Sequence, residues 1–339
     1  MDNKRVIDLK FSKLADVVKK FSDKKLMVIG DLLLDQFIWG EVSRISPEAP
    51  VPVVWVKNEG FMPGGSCNVA NNLAKLGANV SLVGVVGRDE KAVILKDLLK
   101  ERGISFGGII TDSQRPTILK TRVIAHHQQV VRIDRESVDI LHESIIGKMK
   151  DYVRDTIKDI DGIVIEDYGK GVITPSLLKF VVPLARKYGK MVAVDPKENH
   201  FRYYKGATVM TPNHHEAAKA VGFVLDSDEK ILRAGAKMLK DFRLEVALIT
   251  LGERGMMVFA KGKKPCHIPT VAQEVFDVSG AGDTVISVYT LAAVSGASPM
   301  IAAHIANCAG GIVVGKVGVA VVSKEELLEG LKERVIHAK

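Results

Sequence analysis

Residues 277–284 read Asp-Val-Ser-Gly-Ala-Gly-Asp-Thr, and they lead directly into 284–295, a segment with no charged side chain. The small residues at 279–282 let consecutive backbone N–H groups point outward at the start of a helix, where the helix dipole favours an anion. We therefore expect a phosphate cradle, with Asp283 at its edge accepting the proton of an attacking hydroxyl group. On spacing alone a second interpretation stays open, in which Asp283 only complements the dipole of an ordinary helix start.

Outward from this segment, short runs rich in Val and Ile alternate with helical patterns. The predicted strands lie at 26–29, 80–86, 163–165, 191–194, 208–210 and 246–251. The predicted helices lie at 68–76, 90–102, 141–158, 175–188, 228–240 and 284–295, and a second apolar helix follows a turn at 296–299. Continuously apolar strands separated by helices are typical of a mostly parallel sheet covered on both faces. We therefore predict a doubly wound α/β fold.

Two stretches, 36–62 and 114–135, are rich in extended patterns and contain no helix. Prolines at positions 47, 50 and 52 hold the first stretch extended, and the second has the pattern of a hairpin. We interpret both as a small β lid that projects from the main sheet. Since no linker separates them from the rest, we expect one domain over 26–339.

An amphipathic helix is predicted in the N-terminal extension, residues 1–25. Its apolar residues follow one another at steps of three and four, which places them on one helix face that we expect to dock on the core. These residues are Ile7, Phe11, Leu14, Val18 and Phe21.

Composition excludes several classes of protein. The three cysteines among 339 residues have no C-x-x-C spacing, which argues against a disulfide framework or a zinc knuckle and favours the cytoplasm. The net charge is +8, but aromatic residues are only 6% and do not alternate with basic runs, so small anionic ligands are favoured over nucleic acid. The apolar stretch at 284–315 is broken at 296–299, and we expect no membrane partner.

A second group of polar residues follows the first predicted strand. Asp31 and Asp35 stand at its carboxyl end, where open α/β sheets bind ligands, and carboxylates accept hydrogen bonds from sugar hydroxyl groups. Gly64 and Gly65 precede Asn68 at the start of a helix and would let the backbone approach a ligand. For either segment alone, an ordinary turn or loop is the more common interpretation.

Taken together, Gly64-Gly65-x-x-Asn68 and Asp277-x-x-Gly280-Ala281-Gly282-Asp283 resemble the paired signatures of the ribokinase-like (PfkB) carbohydrate kinases, and the resemblance covers almost the whole chain. Residues 44–53 (Arg-Ile-Ser-Pro-Glu-Ala-Pro-Val-Pro-Val), 167–171 (Asp-Tyr-Gly-Lys-Gly) and 211–216 (Thr-Pro-Asn-His-His-Glu) look like those of the heptose 7-phosphate kinases of lipopolysaccharide precursor synthesis. The resemblance implies transfer of the ATP γ-phosphoryl group to the anomeric hydroxyl of D-glycero-β-D-manno-heptose 7-phosphate.

It also implies roles for individual residues. Asp283 would be the catalytic base, and the amides of Gly280, Ala281 and Gly282 would form the anion hole. The residues that would hold sugar hydroxyl groups are Asp31, Asp35, Gly64, Gly65 and Asn68. The phosphate already on the sugar needs cations, for which the candidates, not ranked by spacing, are Arg44, Arg132, Lys170 and Lys197.

The implied cofactors are ATP and Mg²⁺. Asn213 and Glu216 would meet the nucleotide phosphates and organise Mg²⁺, with Glu216 acting through water. Thr250, Gly252 and Gly255 look like the nucleotide loop. Asn307 looks placed near the adenine. For Asn307 the alternative is an amide inside a helix that is satisfied by backbone.

Other functions and partners follow from the same resemblance. A kinase for another sugar or sugar phosphate and a noncatalytic sugar-binding relative remain alternatives. Bifunctional relatives carry a nucleotidyltransferase after the kinase. The sequence up to Lys339 contains no such segment after the kinase, so we expect a separate nucleotidyltransferase partner. Exposed lid strands tend to be covered, and we expect a homodimer through the lid.

Overall fold

The structure is a computed structural model that describes residues 11–126, 128–270, 277–316, 318 and 320–337. Its strands are β1 (Lys25–Gly30), β2 (Leu32–Ile45), β3 (Pro52–Gly65), β4 (Asn79–Val86), β5 (Ser105–Thr111), β6 (Ile118–Ala125), β7 (Gln128–Arg135), β8 (Gly162–Glu166), β9 (Met191–Asp195), β10 (Val209–Met210), β11 (Val246–Thr250), β12 (Met256–Ala260) and β13 (Cys266–Ile268). Its helices are α1 (Phe11–Lys19), α2 (Ser66–Lys75), α3 (Glu90–Glu101), α4 (Glu143–Thr156), α5 (Pro175–Lys187), α6 (His214–Val221), α7 (Asp228–Asp241), α8 (Ala281–Val294), α9 (Pro299–Val314) and α10 (Lys324–His337).

The main sheet has nine strands in the order β13-β12-β11-β10-β9-β8-β1-β4-β5. It is parallel from β5 to β11, and β12 and β13 add antiparallel pairs at one edge. Successive residues of a strand point to opposite faces, so Leu26 and Val28 enter one hydrophobic core while Met27 and Ile29 enter the other. The helices α2, α8 and α9 pack in the first core, and α4, α5 and α7 pack in the second. The predicted doubly wound α/β fold is confirmed.

All six predicted strands and all six predicted helices are present, with ends that differ by a few residues. The second apolar helix after 296–299 is α9. The sequence did not reveal β5, β12, β13, α6 or α10. The strand β5 contains two adjacent glycines, which interrupt the apolar pattern of a strand.

The lid is a separate four-stranded sheet in the order β3-β2-β6-β7. The strands β2 and β3 form a long antiparallel pair, and β6 and β7 form the hairpin expected in 114–135. A parallel pairing of β2 with β6 joins the two halves. Because Asp31 is the single residue between β1 and β2, it marks the point where the chain passes from the main sheet to the lid.

The N-terminal helix docks on the core as its apolar pattern predicts. Leu14, Val18 and Phe21 are buried, and the ammonium group of Lys324 in α10 donates to the Ser22 hydroxyl at 3.2 Å. Ile7 lies outside the described residues, and the domain boundary at residue 25 stays a prediction. Among the helices that the structure describes, none is both long enough and apolar enough to cross a bilayer.

Candidate active site

A cavity of about 210 Å³ lies between the lid and the carboxyl ends of the main-sheet strands. It is lined by Leu33, Asp35, Gly64, Gly65, Asn68, Lys120, Arg122, Arg132, Tyr168, Ser279, Gly280 and Asp283. Both predicted glycine motifs therefore reach one cavity, although they come from opposite parts of the chain.

The start of α8 forms one wall. Gly280 adopts the left-handed conformation (φ 78°), which costs glycine little, and the helix begins at Ala281. Among the residues described, no side chain caps this helix. The Ala281 amide donates to the Val278 carbonyl at 3.3 Å. The N–H groups of Gly282 and Asp283 have no partner within the helix, so these two amides are available to an anion. This geometry favours the cradle over an ordinary capped helix start.

Polar contacts between α2 and α8 fix the base relative to the other glycine motif. The Asn68 side-chain amide donates to Asp283 Oδ2 at 2.6 Å. One helical turn along, the Thr284 hydroxyl donates to Asn72 Oδ1 at 2.9 Å. We expected Asn68 to hold a sugar hydroxyl group, and the structure gives it an additional task, which is to orient the Asp283 carboxylate.

Asp283 has the protonation behaviour of a general base near neutral pH. It is 7% exposed, and burial raises the pKa of its carboxyl to about 6, an effect reduced by hydrogen bonds from Asn68 and Tyr168. The Tyr168 hydroxyl donates to Asp283 Oδ1 at 3.3 Å, and the charge of Asp283 in turn raises the pKa of Tyr168. At pH 7 Asp283 is therefore mainly ionised and able to accept a proton.

Asp31 departs from its predicted role as a sugar ligand. It is fully buried, and its carboxylate accepts backbone N–H groups from Tyr168, Lys170 and Val172 at 2.9 to 3.3 Å. These bonds fix the loop after β8, which carries Tyr168 into the cavity. The physical reason is burial: Asp31 is fully buried and is not among the residues that line the cavity, so its carboxylate is out of reach of a sugar there.

Asp35 lies in the cavity as predicted, and it has a cationic partner that the sequence did not reveal. Arg122 donates to Asp35 Oδ1 at 2.5 Å. The other oxygen lies so close to Gly64 that a Cβ there would be only 2.3 Å away, which explains the glycine. Lys120 stands two residues before Arg122 on β6, so both side chains share the face of the strand that lines the cavity.

The four predicted phosphate cations lie in different places. Of the four candidates, only Arg132 lines the cavity. Arg44 lies nine residues beyond Asp35 on β2, or about 30 Å at the usual rise of a strand. The Lys170 ammonium pairs with Glu136 at 2.5 Å, and the Lys197 side chain is exposed beside Gly169.

The predicted nucleotide residues lie together at the ends of β10 and β11. Asn213 caps α6, and Glu216 accepts the Asn213 amide at 2.8 Å, so the two form a capping box. Thr250 bridges to Asn213, and the turn at 252–255 follows it. Gly252 and Gly255 both have positive φ there.

Asn307 has a backbone partner within the protein. Its side-chain amide donates to the Pro269 carbonyl at 2.7 Å, and the residue is 6% exposed. This bond agrees with the alternative that the sequence left open, an amide inside a helix satisfied by backbone. The adenine contact stays a prediction.

One feature of the site was not predicted at all. Glu166 at the end of β8, Asp195 at the end of β9 and Asp283 each place a carboxylate oxygen within 4.8 Å of the other two. Carboxylate oxygens are the ligands that Mg²⁺ and Ca²⁺ prefer. No single spacing in the sequence points to this cluster, because its members come from three separate elements.

The site and the fold agree with what comparison with known proteins finds. A model of the pfkB family of carbohydrate kinases matches residues 23–326. The chain belongs to this family. As a pfkB carbohydrate kinase it is a phosphotransferase that acts on a sugar hydroxyl group, which confirms the enzyme class predicted from the paired motifs.

Its relatives include the bifunctional protein HldE of Geobacter sulfurreducens, 47% identical over 90% of this chain, and that of Helicobacter pylori, 42% identical over 90%. The chain spans 62% and 65% of the length of these two proteins. Among solved structures, Arabidopsis thaliana ribokinase in complex with ribose and ATP superposes with a TM-score of 0.72 at 21% identity, covering 91% of this chain and 99% of that one. Phosphofructokinase-2 of Escherichia coli superposes with a TM-score of 0.75 at 16% identity, covering 91% and 99%. These likenesses support the ribokinase-like fold.

Proposed function

We propose that this kinase transfers the γ-phosphoryl group of ATP to the anomeric hydroxyl of D-glycero-β-D-manno-heptose 7-phosphate. The observation that carries the proposal is the cavity itself, which combines Asp283 and an uncapped helix start with three cationic side chains from the lid. Lys120, Arg122 and Arg132 suit an acceptor that already bears a phosphate. The HldE relatives support the choice of a heptose phosphate.

In the proposed reaction Asp283 takes the proton of the anomeric hydroxyl as its oxygen attacks the γ-phosphorus. The bond between that phosphorus and the bridging oxygen breaks, and ADP leaves with the electron pair. Amides of the first turn of α8 hold the charge of the transferring group. Asn68 and Tyr168 keep the carboxylate aimed at the acceptor.

Mg²⁺, when bound, would neutralise charge on the phosphates. The residues proposed to hold it are Asp195 and, through water, Glu216. The Asp195 Oδ2 atom lies 3.7 Å from the point that a Cβ on Gly282 would occupy, so the carboxylate borders the cradle. Burial raises the pKa of Asp195, and the nearby charge of Glu216 raises it further, so the two carboxylates interact electrostatically.

A substrate panel tests the proposal. ADP release is measured with heptose 7-phosphate, fructose 6-phosphate, tagatose 6-phosphate and ribose at matched concentrations. We expect the highest kcat/KM for heptose 7-phosphate. Its advantage over ribose, which has no phosphate, should be about 100-fold or more, because a distal phosphate paired with arginine contributes about 3 kcal/mol. Preference for another sugar would assign the site to that sugar, and no turnover with any of them would favour a noncatalytic relative.

A homodimer through the lid is part of the proposal. Trp39, Trp55, Val56 and Ile133 are exposed on the lid strands, and an exposed apolar sheet surface favours association. We expect light scattering to give a dimer for the native chain and a monomer for Trp55→Glu. A native monomer would contradict the dimer.

The cytoplasmic location and the separate nucleotidyltransferase stay predictions. If the nucleotidyltransferase is a separate protein, the purified chain should release heptose bisphosphate and no nucleotide-activated heptose.

A further inference from the structure

Glu166 is a buried carboxylate for which the phosphoryl transfer described above has no use. It is the last residue of β8, it is 2% exposed, and its Oε2 atom is buried with no hydrogen-bond partner among the described residues. Leaving an ionised carboxylate unpaired in a protein interior is costly. A ligand that is absent from the structure is one way to satisfy it.

Other buried acids near the site are treated differently by the fold. Asp31 accepts three backbone amides. Asp167, the residue next to Glu166, accepts the Tyr204 hydroxyl at 2.6 Å, His200 Nδ1 at 2.8 Å and the Gly169 amide at 2.8 Å. The unpaired oxygen of Glu166 is therefore an exception, because the neighbouring buried carboxylates have hydrogen-bond partners.

The neighbours of Glu166 add negative charge without compensating it. Its carboxylate lies within 4.8 Å of those of Asp195 and Asp283. Across the described part of the chain, no ion pair with Lys, Arg or His involves any of the three. The side chains that donate to the cluster, Asn68, Tyr168 and Thr211, are all neutral.

The spacing of the three oxygens fits a hard divalent cation. Two ligands on opposite sides of Ca²⁺ are separated by about 4.8 Å, and on Mg²⁺ by about 4.2 Å. Oxygens no more than 4.8 Å apart are therefore close enough to share one such cation. All three ligands come from this chain, so the site is complete before a nucleotide arrives.

We propose that Glu166 is a direct ligand of a divalent cation bound jointly with Asp195 and Asp283, and that this site fills in the absence of nucleotide. It goes beyond the phosphoryl transfer proposed above, because it concerns a residue and a nucleotide-free state that the transfer does not require. The identity of the sugar has no bearing on it. Failure of the heptose proposal would leave it untouched.

The test measures Mn²⁺ binding to the full chain without ATP or sugar, by electron paramagnetic resonance of free Mn²⁺. We expect one Mn²⁺ per native chain at sub-millimolar concentration and at least tenfold weaker binding to Glu166→Gln. The matched control, Glu245→Gln, removes an exposed glutamate at the entrance to β11 and should bind as the native chain does. A native chain that binds no Mn²⁺ up to several millimolar, or a Glu166→Gln variant with native affinity, would overturn the proposal.

Thermal unfolding provides the second readout. Mn²⁺ should raise the Tm of the native chain and of Glu245→Gln, and this shift should be lost in Glu166→Gln. If Glu166→Gln does not fold, Asp195→Asn replaces it with the same expected loss. An equal Mn²⁺ shift in the native chain and in the folded cluster variant would mean that the cation binds elsewhere, and it would refute the site.

Discussion

The substitution Asp283→Asn separates the chemical role of the carboxylate from its structural role. The side chain keeps its shape, and an asparagine oxygen can still accept the Asn68 amide that now reaches Asp283 Oδ2 at 2.6 Å. The amide nitrogen then faces the Tyr168 hydroxyl, which can accept as well as donate. Both contacts therefore survive, and the lost property is the ability to accept a proton.

The expected loss of activity is large, and stability should move in the opposite direction. A positioned general base contributes about 10² to 10⁴ in rate, so kcat should fall by that factor while the KM for ATP changes little. The folded-state pKa of about 6 exceeds the ordinary 3.8, so the ionised carboxylate opposes folding increasingly as the pH rises from 3.8 through 6. At about 1.4 kcal/mol per pKa unit, the neutral amide should raise the free energy of unfolding at pH 7 by up to about 3 kcal/mol.

The assay pairs coupled ADP release with urea unfolding at pH 7. Activity near the native value would remove Asp283 from the role of base. A variant that is both inactive and much less stable than the native chain would also refute the reasoning, because it would assign the carboxylate to the architecture of the site.

Two further pairs of substitutions, each a variant with its control, test the lid cations and the packing. Arg122→Met should raise the KM for the phosphorylated sugar by about tenfold or more and leave the KM for ATP unchanged. The control, Arg44→Met, is remote on the same sheet and should leave both KM values unchanged. Equal effects of the two variants would contradict the assignment of Arg122 to the sugar phosphate. Gly235→Ala should lower the free energy of unfolding in urea by about 1 to 3 kcal/mol, because its Cβ would lie 2.3 Å from the Phe259 ring. Gly147→Ala, also in a helix but with open space around it, should raise that free energy by up to about 1 kcal/mol, and the reverse order would refute the packing argument.

The sequence was most informative where one local pattern determines one local structure. Apolar runs between helical patterns predicted the strands of the main sheet because a parallel sheet buries both of its faces. The strand β13 has only three residues, and the strand β5 is interrupted by glycines. Neither is long or regular enough to give such a signal.

The site could be predicted only where its residues stand in a fixed motif. Asp283 and Asn68 were found in this way, although their hydrogen bond was not. Arg122 was missed because its neighbour Asp35 comes from another strand, and the pairing of β2 with β6 sets their meeting. Glu166 gave no signal, because its unpaired state depends on what surrounds the end of β8 in three dimensions.

A crystal structure of the chain with heptose 7-phosphate and a nonhydrolysable ATP analogue tests the central claim most directly. We expect the anomeric oxygen within hydrogen-bond reach of an Asp283 oxygen, about 2.6 to 3.2 Å, and the γ-phosphate oxygens on the amides of the first turn of α8. An acceptor hydroxyl out of reach of Asp283, or a γ-phosphate bound away from that helix start, would contradict the account.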